Sequence, residues 1–304
     1  MKLPELIDLV VLRGAARGLS LHAHRPALAQ LYGGHRSAQR GRGLEFEEVR
    51  PYAAGDDART IDWRVTARRG KPHTKLFREE RERPVWLVAD LHPGLFFGSR
   101  RQFKSAVLLQ AAALLGWVAV LGGDRVGAVI ADGSAAPRIL PPRNREAGVL
   151  PILQTLAECQ PRAPGVPNPD GLPAGLPTAL TTLRPLLQPG SLVLVLSDFS
   201  ALDTEVQNLL AGVSTHNDCR LLWITDPLER SGLPSGTHRV GLPERLWWLD
   251  GQGSRPAWQT AWRQREQTLT DLSTRLSLPL VRLDTADTMP DALAALLKEP
   301  RWAA

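Results

Sequence analysis

The chain has 304 residues, 43% of them hydrophobic, and a formal net charge of +6. That length suffices for one large α/β core with an appendage, and the apolar content is that of an ordinary globular protein. The two cysteines, Cys159 and Cys219, lie far apart with no CxxC or Cys/His spacing, which argues against a zinc site and fits a reducing, cytoplasmic setting.

The charge is uneven. Residues 1–84 hold 17 Lys and Arg against 11 Asp and Glu, while the rest of the chain has 20 of each. The opening MKLPELIDLVVLRGAARG is interrupted by Glu5 and Asp8 and lacks the apolar core and cleavage site of a signal peptide. Apolar spacing predicts a helix over 3–31, followed by irregular Gly- and Arg-rich chain over 32–44. Residues 46–77 read as short strands and turns: FEEVRPY, a turn at Gly55-Asp56-Asp57, TIDWRVTAR, then HTKLFRE. Glu45, Glu47, Glu48, Arg50, Asp56, Asp57, Arg59, Asp62, Arg64 and Arg68 alternate in sign, as a cross-strand ion-pair network requires. Trp63 is expected to anchor this polar segment to the domain that follows.

From Val85 the grammar changes to strands alternating with helices. VWLVADL, RVGAVIA, SLVLVLSDF, CRLLWITD and LPLVRLD read as strands, with PRILPP as a further short one and RLWWLDGQG as a small hairpin. Helices are predicted over 101–121, 145–158, 178–187, 203–213, 258–276 and 291–297. Residues 105–123 carry no charge and approach the length of a membrane span, but lie between two strands and read as a buried helix. Residues 161–177 are rich in proline and read as a mobile surface loop. Continuous apolar strands alternating with helices imply a three-layer, doubly wound, mostly parallel α/β sheet, with ligand sites at the carboxyl ends of its strands. The division expected is 1–84 for the helix and polar β-rich segment and 85–304 for the α/β domain.

The string GDDxRxIDWxxTAR, Gly55 to Arg68, resembles the hallmark of the bacterial family known as domain of unknown function 58. Phe97-Gly98-Ser99 and LSDF, ending at Phe199, resemble further runs of that family, and the likeness extends over about residues 35–230. The resemblance implies a von Willebrand factor A-like domain and partnership with a MoxR-type AAA+ ATPase in chaperone-like maturation or remodelling of protein complexes. It also implies a metal-ion-dependent adhesion site, in which a DxSxS loop, a Thr and an Asp hold a divalent ion such as Mg2+. The matching positions here are Asp90, Thr178 and Asp198. The first loop departs from the pattern, because His92 and Gly94 stand where the two serines belong. A magnesium ion wants near-octahedral oxygen ligation, so the site reads as degenerate. The expected partner-binding set is Asp90, His92 and Asp198 with Asp56, Asp57, Arg59, Asp62 and Trp63.

Enzyme signatures are missing: no GxxxxGK[ST], no HExxH, no GxSxG. The expectation is a non-enzymatic adaptor with no direct nucleic-acid partner and no transmembrane segment. Two alternatives stay open: a metal-dependent hydrolase using Asp90, Asp198 and His92, and a nucleic-acid or membrane binder using the basic N-terminal segment. Trp247, Trp248, Trp258 and Trp262 are expected to form a core cluster that packs the late hairpin.

Overall fold

The computed structural model describes residues 1–21, 44–53, 61–79, 83–134, 136–163, 175–242 and 245–297. Two units emerge, one made of residues 1–32 with 83–304 and the other of residues 33–82. The N-terminal helices therefore group with the α/β core, whereas the sequence reading placed all of 1–84 together.

The larger unit is a mixed α/β structure around a six-stranded sheet. Its strands are β3 (Pro84–Asp90), β4 (Arg125–Ala131), β5 (Arg138–Arg143), β6 (Leu192–Ser197), β7 (Asp218–Thr225) and β10 (Leu280–Asp284), in the order β10-β7-β6-β3-β4-β5. Only β5 runs antiparallel to its neighbour. It carries Pro141 and Pro142, and an edge position accommodates residues with no N–H to donate.

Strand parity divides the core. Val85, Leu87 and Ala89 of β3, with Leu192, Leu194 and Leu196 of β6, face one apolar cluster. Trp86, Val88, Val193 and Val195 face the other. The first face is covered by α1 (Leu6–Val11), α2 (Arg13–Ala16), α4 (Lys104–Leu121), α5 (Arg145–Cys159) and α10 (Met289–Leu297). The second is covered by α6 (Leu176–Leu183), α7 (Thr204–Ser214) and α9 (Gly251–Leu276). Helix α4 is apolar all round because it is buried all round: it is long enough to cross a membrane, yet 83% of it is enclosed by this unit. The helix expected over 3–31 is not continuous through the described residues, and its residues 22–31 lie outside them. It breaks into α1 and α2, and the chain leaves α2 through an extended Arg17 and a positive φ at Gly18. Leu9 and Ala16 are fully buried, and the Trp117 indole donates to the Leu9 carbonyl at 3.1 Å.

The late hairpin, β8 (Thr237–Leu242) and β9 (Arg245–Asp250), forms its own two-stranded sheet. Trp247 and Trp248 are 49% and 70% exposed there, so the expected four-tryptophan core cluster does not form. Successive strand residues point to opposite faces, and a two-stranded ribbon cannot bury both.

In the smaller unit, β1 (Leu44–Pro51) pairs antiparallel with β2 (His73–Glu79), with a register shift between Phe46 and Glu48. Between them, where a strand was expected through TIDWRVTAR, residues from Trp63 on are helical, as α3 (Trp63–Arg69), and Ile61 makes only an isolated antiparallel bridge to Thr74. The local reason is capping. The Asp62 carboxylate accepts from the Arg64 and Val65 amides at 2.9 and 3.1 Å, and Gly70 closes the helix at φ 69°.

Candidate functional site

The strand order reverses between β3 and β6: β3 leads to β4 on one side, and the chain returns through β6 on the other. In a doubly wound sheet this is where a crevice opens at the carboxyl ends. Asp90 is the last residue of β3, and Asp198 directly follows β6. Register sets Ala89 beside Leu196, so Asp90 stands level with Ser197 on the same sheet face. The Ser197 hydroxyl donates to Asp90 Oδ2 at 2.6 Å. Asp90 Oδ1 is buried with no hydrogen-bond partner. Burial pushes the Asp90 carboxyl up to about 6, with His92 and the Ser197 hydroxyl opposing.

Asp198 is held from several sides. Its Oδ1 accepts from the Ser200 amide at 2.9 Å and faces His92 Nε2 at 3.3 Å. Its Oδ2 accepts from Lys104 Nζ at 2.6 Å. Its carbonyl accepts from the Trp223 indole at 3.1 Å and from Arg265 Nη2. Burial alone would raise the Asp198 carboxyl. Lys104 foremost, then His92 and Arg265, overcome that and hold it well below the usual carboxylate range. Phe199 follows at φ 51°, a left-handed conformation unusual for a bulky side chain, so the turn after β6 is strained where its groups converge.

His92 caps the short 3-10 turn Pro93–Leu95. Its Nδ1 accepts from the Gly94 amide at 3.1 Å, which leaves the proton on Nε2, aimed at Asp198. Lys104 is the first residue of α4 and only 2% exposed. A second bond carries its ammonium to Glu229 Oε1 at 2.9 Å. Glu229 lies in α8 (Pro227–Ser231), where its other oxygen accepts from the Asp226 amide in a capping box. Burial opposes the Lys104 charge, and Asp198 and Glu229 together more than restore it, so its pKa is raised. Ser99, of the FGS run, binds Asp226 at the end of β7 through both its amide and its hydroxyl.

Asp90, His92 and Asp198 thus come together, with one potential ligand atom from each lying within 4.8 Å of the others. Thr178 lies in the first turn of α6, and Gly175, which caps that helix, packs against Asp90: a Cβ on Gly175 would sit 2.8 Å from Asp90 Oδ1. The donor set does not suit a six-coordinate magnesium ion. Both Asp198 oxygens and Asp90 Oδ2 are engaged by protein donors, leaving Asp90 Oδ1 as the one unengaged carboxylate oxygen of this pair. Asp62 and Trp63 belong to the smaller unit, and Asp56, Asp57 and Arg59 lie outside the described residues. Trp63, expected as a buried anchor, is 69% exposed.

Sequence reasoning missed Lys104, Glu229 and Arg265. Lys104 carried a signal, being the one charge that opens an otherwise apolar helix. Glu229 carried another, as the fourth residue of Asp226-Pro-Leu-Glu. Beside the cluster is a cleft of ≈ 340 Å³ lined by Glu229, Trp258, Ala261, Trp262 and Arg265. Trp262 stacks on Trp223 with ring centroids 4.9 Å apart, and the Trp258 indole donates to the Glu229 carbonyl at 2.8 Å.

Comparison with known proteins places this site in a family. Residues 48–267 match the model described as "Protein of unknown function DUF58". Uncharacterized proteins of Mycobacterium bovis and Mycobacterium tuberculosis are each 35% identical over 193 residues, covering 64% of this chain and 59% of theirs. The chain thus spans less than two thirds of the length of the curated relatives it matches. Among solved structures, the conserved hypothetical protein BatB from Bacteroides thetaiotaomicron aligns with TM-score 0.40 and 10% identity, covering 70% of this chain and 96% of that one. A mutant of the PilB minor pilin from Streptococcus sanguinis aligns with TM-score 0.40 and 10% identity, over 77% of this chain and 65% of that one. Since the family model spans most of the sequence, the chain belongs to the DUF58 family of proteins of unknown function.

Proposed function

We propose that this chain is a non-enzymatic interaction protein, built on a von Willebrand A-like domain, that serves a MoxR-type AAA+ ATPase in maturing or remodelling protein complexes in the cytoplasm. Family membership and the GDDxRxIDWxxTAR string support the assignment. The ATPase supplies the nucleotide chemistry, for which this sequence has no phosphate-binding loop.

The observation that carries the binding role is the cleft beside the strand ends. Asp90, His92 and Asp198 are 3–4% exposed, too buried to meet a partner directly. Contact passes instead to the rim, where the half-buried Trp258 and Arg265 line an open cleft with the buried Trp262 beneath them. Trp and Arg are the side chains that most often dominate protein–protein binding energy. The buried charges behind the rim fix its geometry, since Arg265 reaches the Asp198 carbonyl and Trp258 the Glu229 carbonyl. The exposed Trp63 and the capping Asp62 of the smaller unit offer a second contact face.

The test is a tagged pull-down from native host lysate with ATP and magnesium, read by mass spectrometry. Enrichment of an AAA+ ATPase that is lost with Trp258→Ala supports this reading. No ATPase enrichment by the folded wild-type chain removes it.

A further inference from the structure

We infer that the Lys104 ammonium is the resident cation of the strand-end site, so that this site is built to function without a divalent ion. Acidic groups crowded at the ends of parallel strands need a positive counterpart, and a site of this shape can obtain it from a bound metal or from the chain itself. Here the chain provides it. Lys104 Nζ lies 2.6 Å from Asp198 Oδ2 and 2.9 Å from Glu229 Oε1, and the side chain is 2% exposed. That is the contact pattern of a coordinated ion, made by an ammonium with three donors.

The backbone explains how it gets there. Helical side chains lean toward the N-terminus of their helix, so a lysine in the first turn of α4 reaches out past the helix end to the strand tips. A cation at a helix N-terminus is disfavoured by the helix dipole, and burial disfavours it further. Only firm engagement by Asp198 and Glu229 holds it in that position.

The first loop has changed in the same direction. A metal site needs lone pairs facing inward. His92, where the adhesion motif has a serine, presents an N–H to Asp198, because its other nitrogen is occupied by the Gly94 amide. Gly94 presents no side-chain oxygen at all. Arg265 adds a third basic group, 3.8 Å from Asp198 Oδ1 and 3.9 Å from Glu229 Oε1. Lys104, His92 and Arg265 thus surround Asp198 with donors, where a metal-bound aspartate would turn its lone pairs to an ion. Any partner recognition here then proceeds without an exchangeable ion for a partner carboxylate to coordinate. That consequence rests on the interaction reading above. The cation assignment does not, and it is tested by itself.

The experiment uses the full chain, with magnesium and manganese as the probes. Calorimetric titration and thermal melting are run with each metal and with EDTA. The wild type is expected to bind neither metal stoichiometrically and to melt at the same temperature throughout. Lys104→Ala is expected to melt on the order of 10 °C lower, because it strips the buried Asp198 carboxylate and the half-buried Glu229 carboxylate of their shared cation. Stoichiometric metal binding that raises the wild-type melting temperature overturns the assignment, as does a Lys104→Ala protein as stable as the wild type. If that variant does not fold, acetic anhydride labelling of the wild type decides. Lys104 is expected to resist the reagent with or without magnesium while the exposed Lys2 reacts. Labelling of Lys104 that matches Lys2, or that rises when magnesium is added, overturns the proposal.

Discussion

Lys104 and Asp198 are 94 residues apart in sequence and 2.6 Å apart in space, an ion pair that joins the start of α4 to the end of β6. Both partners are nearly inaccessible to water, with side chains 2% and 5% exposed. In such a setting the loss of one partner matters more than the net worth of the pair, because the survivor is left charged and unsatisfied. Asp198→Ala is therefore expected to destabilise the larger unit by about 3–5 kcal/mol in urea denaturation. A double-mutant cycle with Lys104→Met should return a coupling of roughly 2–3 kcal/mol. Independent, additive losses would mean that the two groups are not paired in solution.

Asp90 gives the site a pH dependence of opposite sign. Its folded-state pKa is raised to about 6 from a usual 3.8, so between those values the unfolded chain gives up the proton first. Stability contributed by the protonated carboxyl is present below pH 3.8 and is lost as pH rises toward 6. The shift corresponds to about 3 kcal/mol. Asp198, with its depressed pKa, behaves the other way: its contribution is present above the usual carboxylate range and is lost as pH falls below it. Asp90→Asn removes the first effect alone. The variant should gain stability relative to wild type between pH 4 and pH 7 by about 3 kcal/mol, measured as the change in unfolding free energy. Parallel stability curves for the two proteins would place Asp90 in a wetter environment than described.

Much of this architecture is legible in the sequence. The buried strands announce themselves as unbroken apolar runs, and the carboxyl-end rule led to Asp90 and Asp198. What stayed hidden depends on distance in the chain. Lys104 and Arg265 reach Asp198, and Glu229 reaches Lys104, from three different helices, and no periodicity links positions so far apart. The strand expected at TIDWRVTAR was lost to capping chemistry that the sequence did contain: an aspartate before the helix and a glycine after it. The pattern of short strands and turns read over 46–77 gave these end signals no weight. The exposure of Trp63, Trp247 and Trp248 was not legible either, because a large aromatic reads as core unless the surrounding surface is known.

Gly175 links α6 to the acidic pair. It sits at φ +75°, and an added methyl group would lie 2.8 Å from Asp90 Oδ1. Gly175→Ala thus imposes a left-handed alanine and crowds a buried carboxylate. The expected loss is about 1–3 kcal/mol, visible as a lowered urea midpoint. Asp90→Asn with its neutral amide leaves the backbone strain in place, so the combined variant should stay less stable than Asp90→Asn alone. A Gly175→Ala protein with an unchanged midpoint would show that the α6 N-terminus does not press on Asp90.

Trp258 and Trp63 separate binding from folding. Trp258 is half-buried at the rim of the cleft and hydrogen-bonded to the Glu229 carbonyl, whereas Trp63 is largely exposed at the first position of α3. Trp63→Ala removes an exposed ring and is expected to shift stability by less than about 0.5 kcal/mol. If the chain serves an AAA+ ATPase as proposed, Trp258→Ala should weaken its capture at least tenfold, on the order of 2 kcal/mol for an aromatic anchor, while the chain remains folded by circular dichroism. The two outcomes are read from one set of purified variants by titration against the captured ATPase. Equal affinity of Trp258→Ala and wild type would move the docking surface away from the cleft. A loss seen instead with Trp63→Ala, at unchanged stability, would move it to the polar segment that carries the GDDxRxIDWxxTAR string.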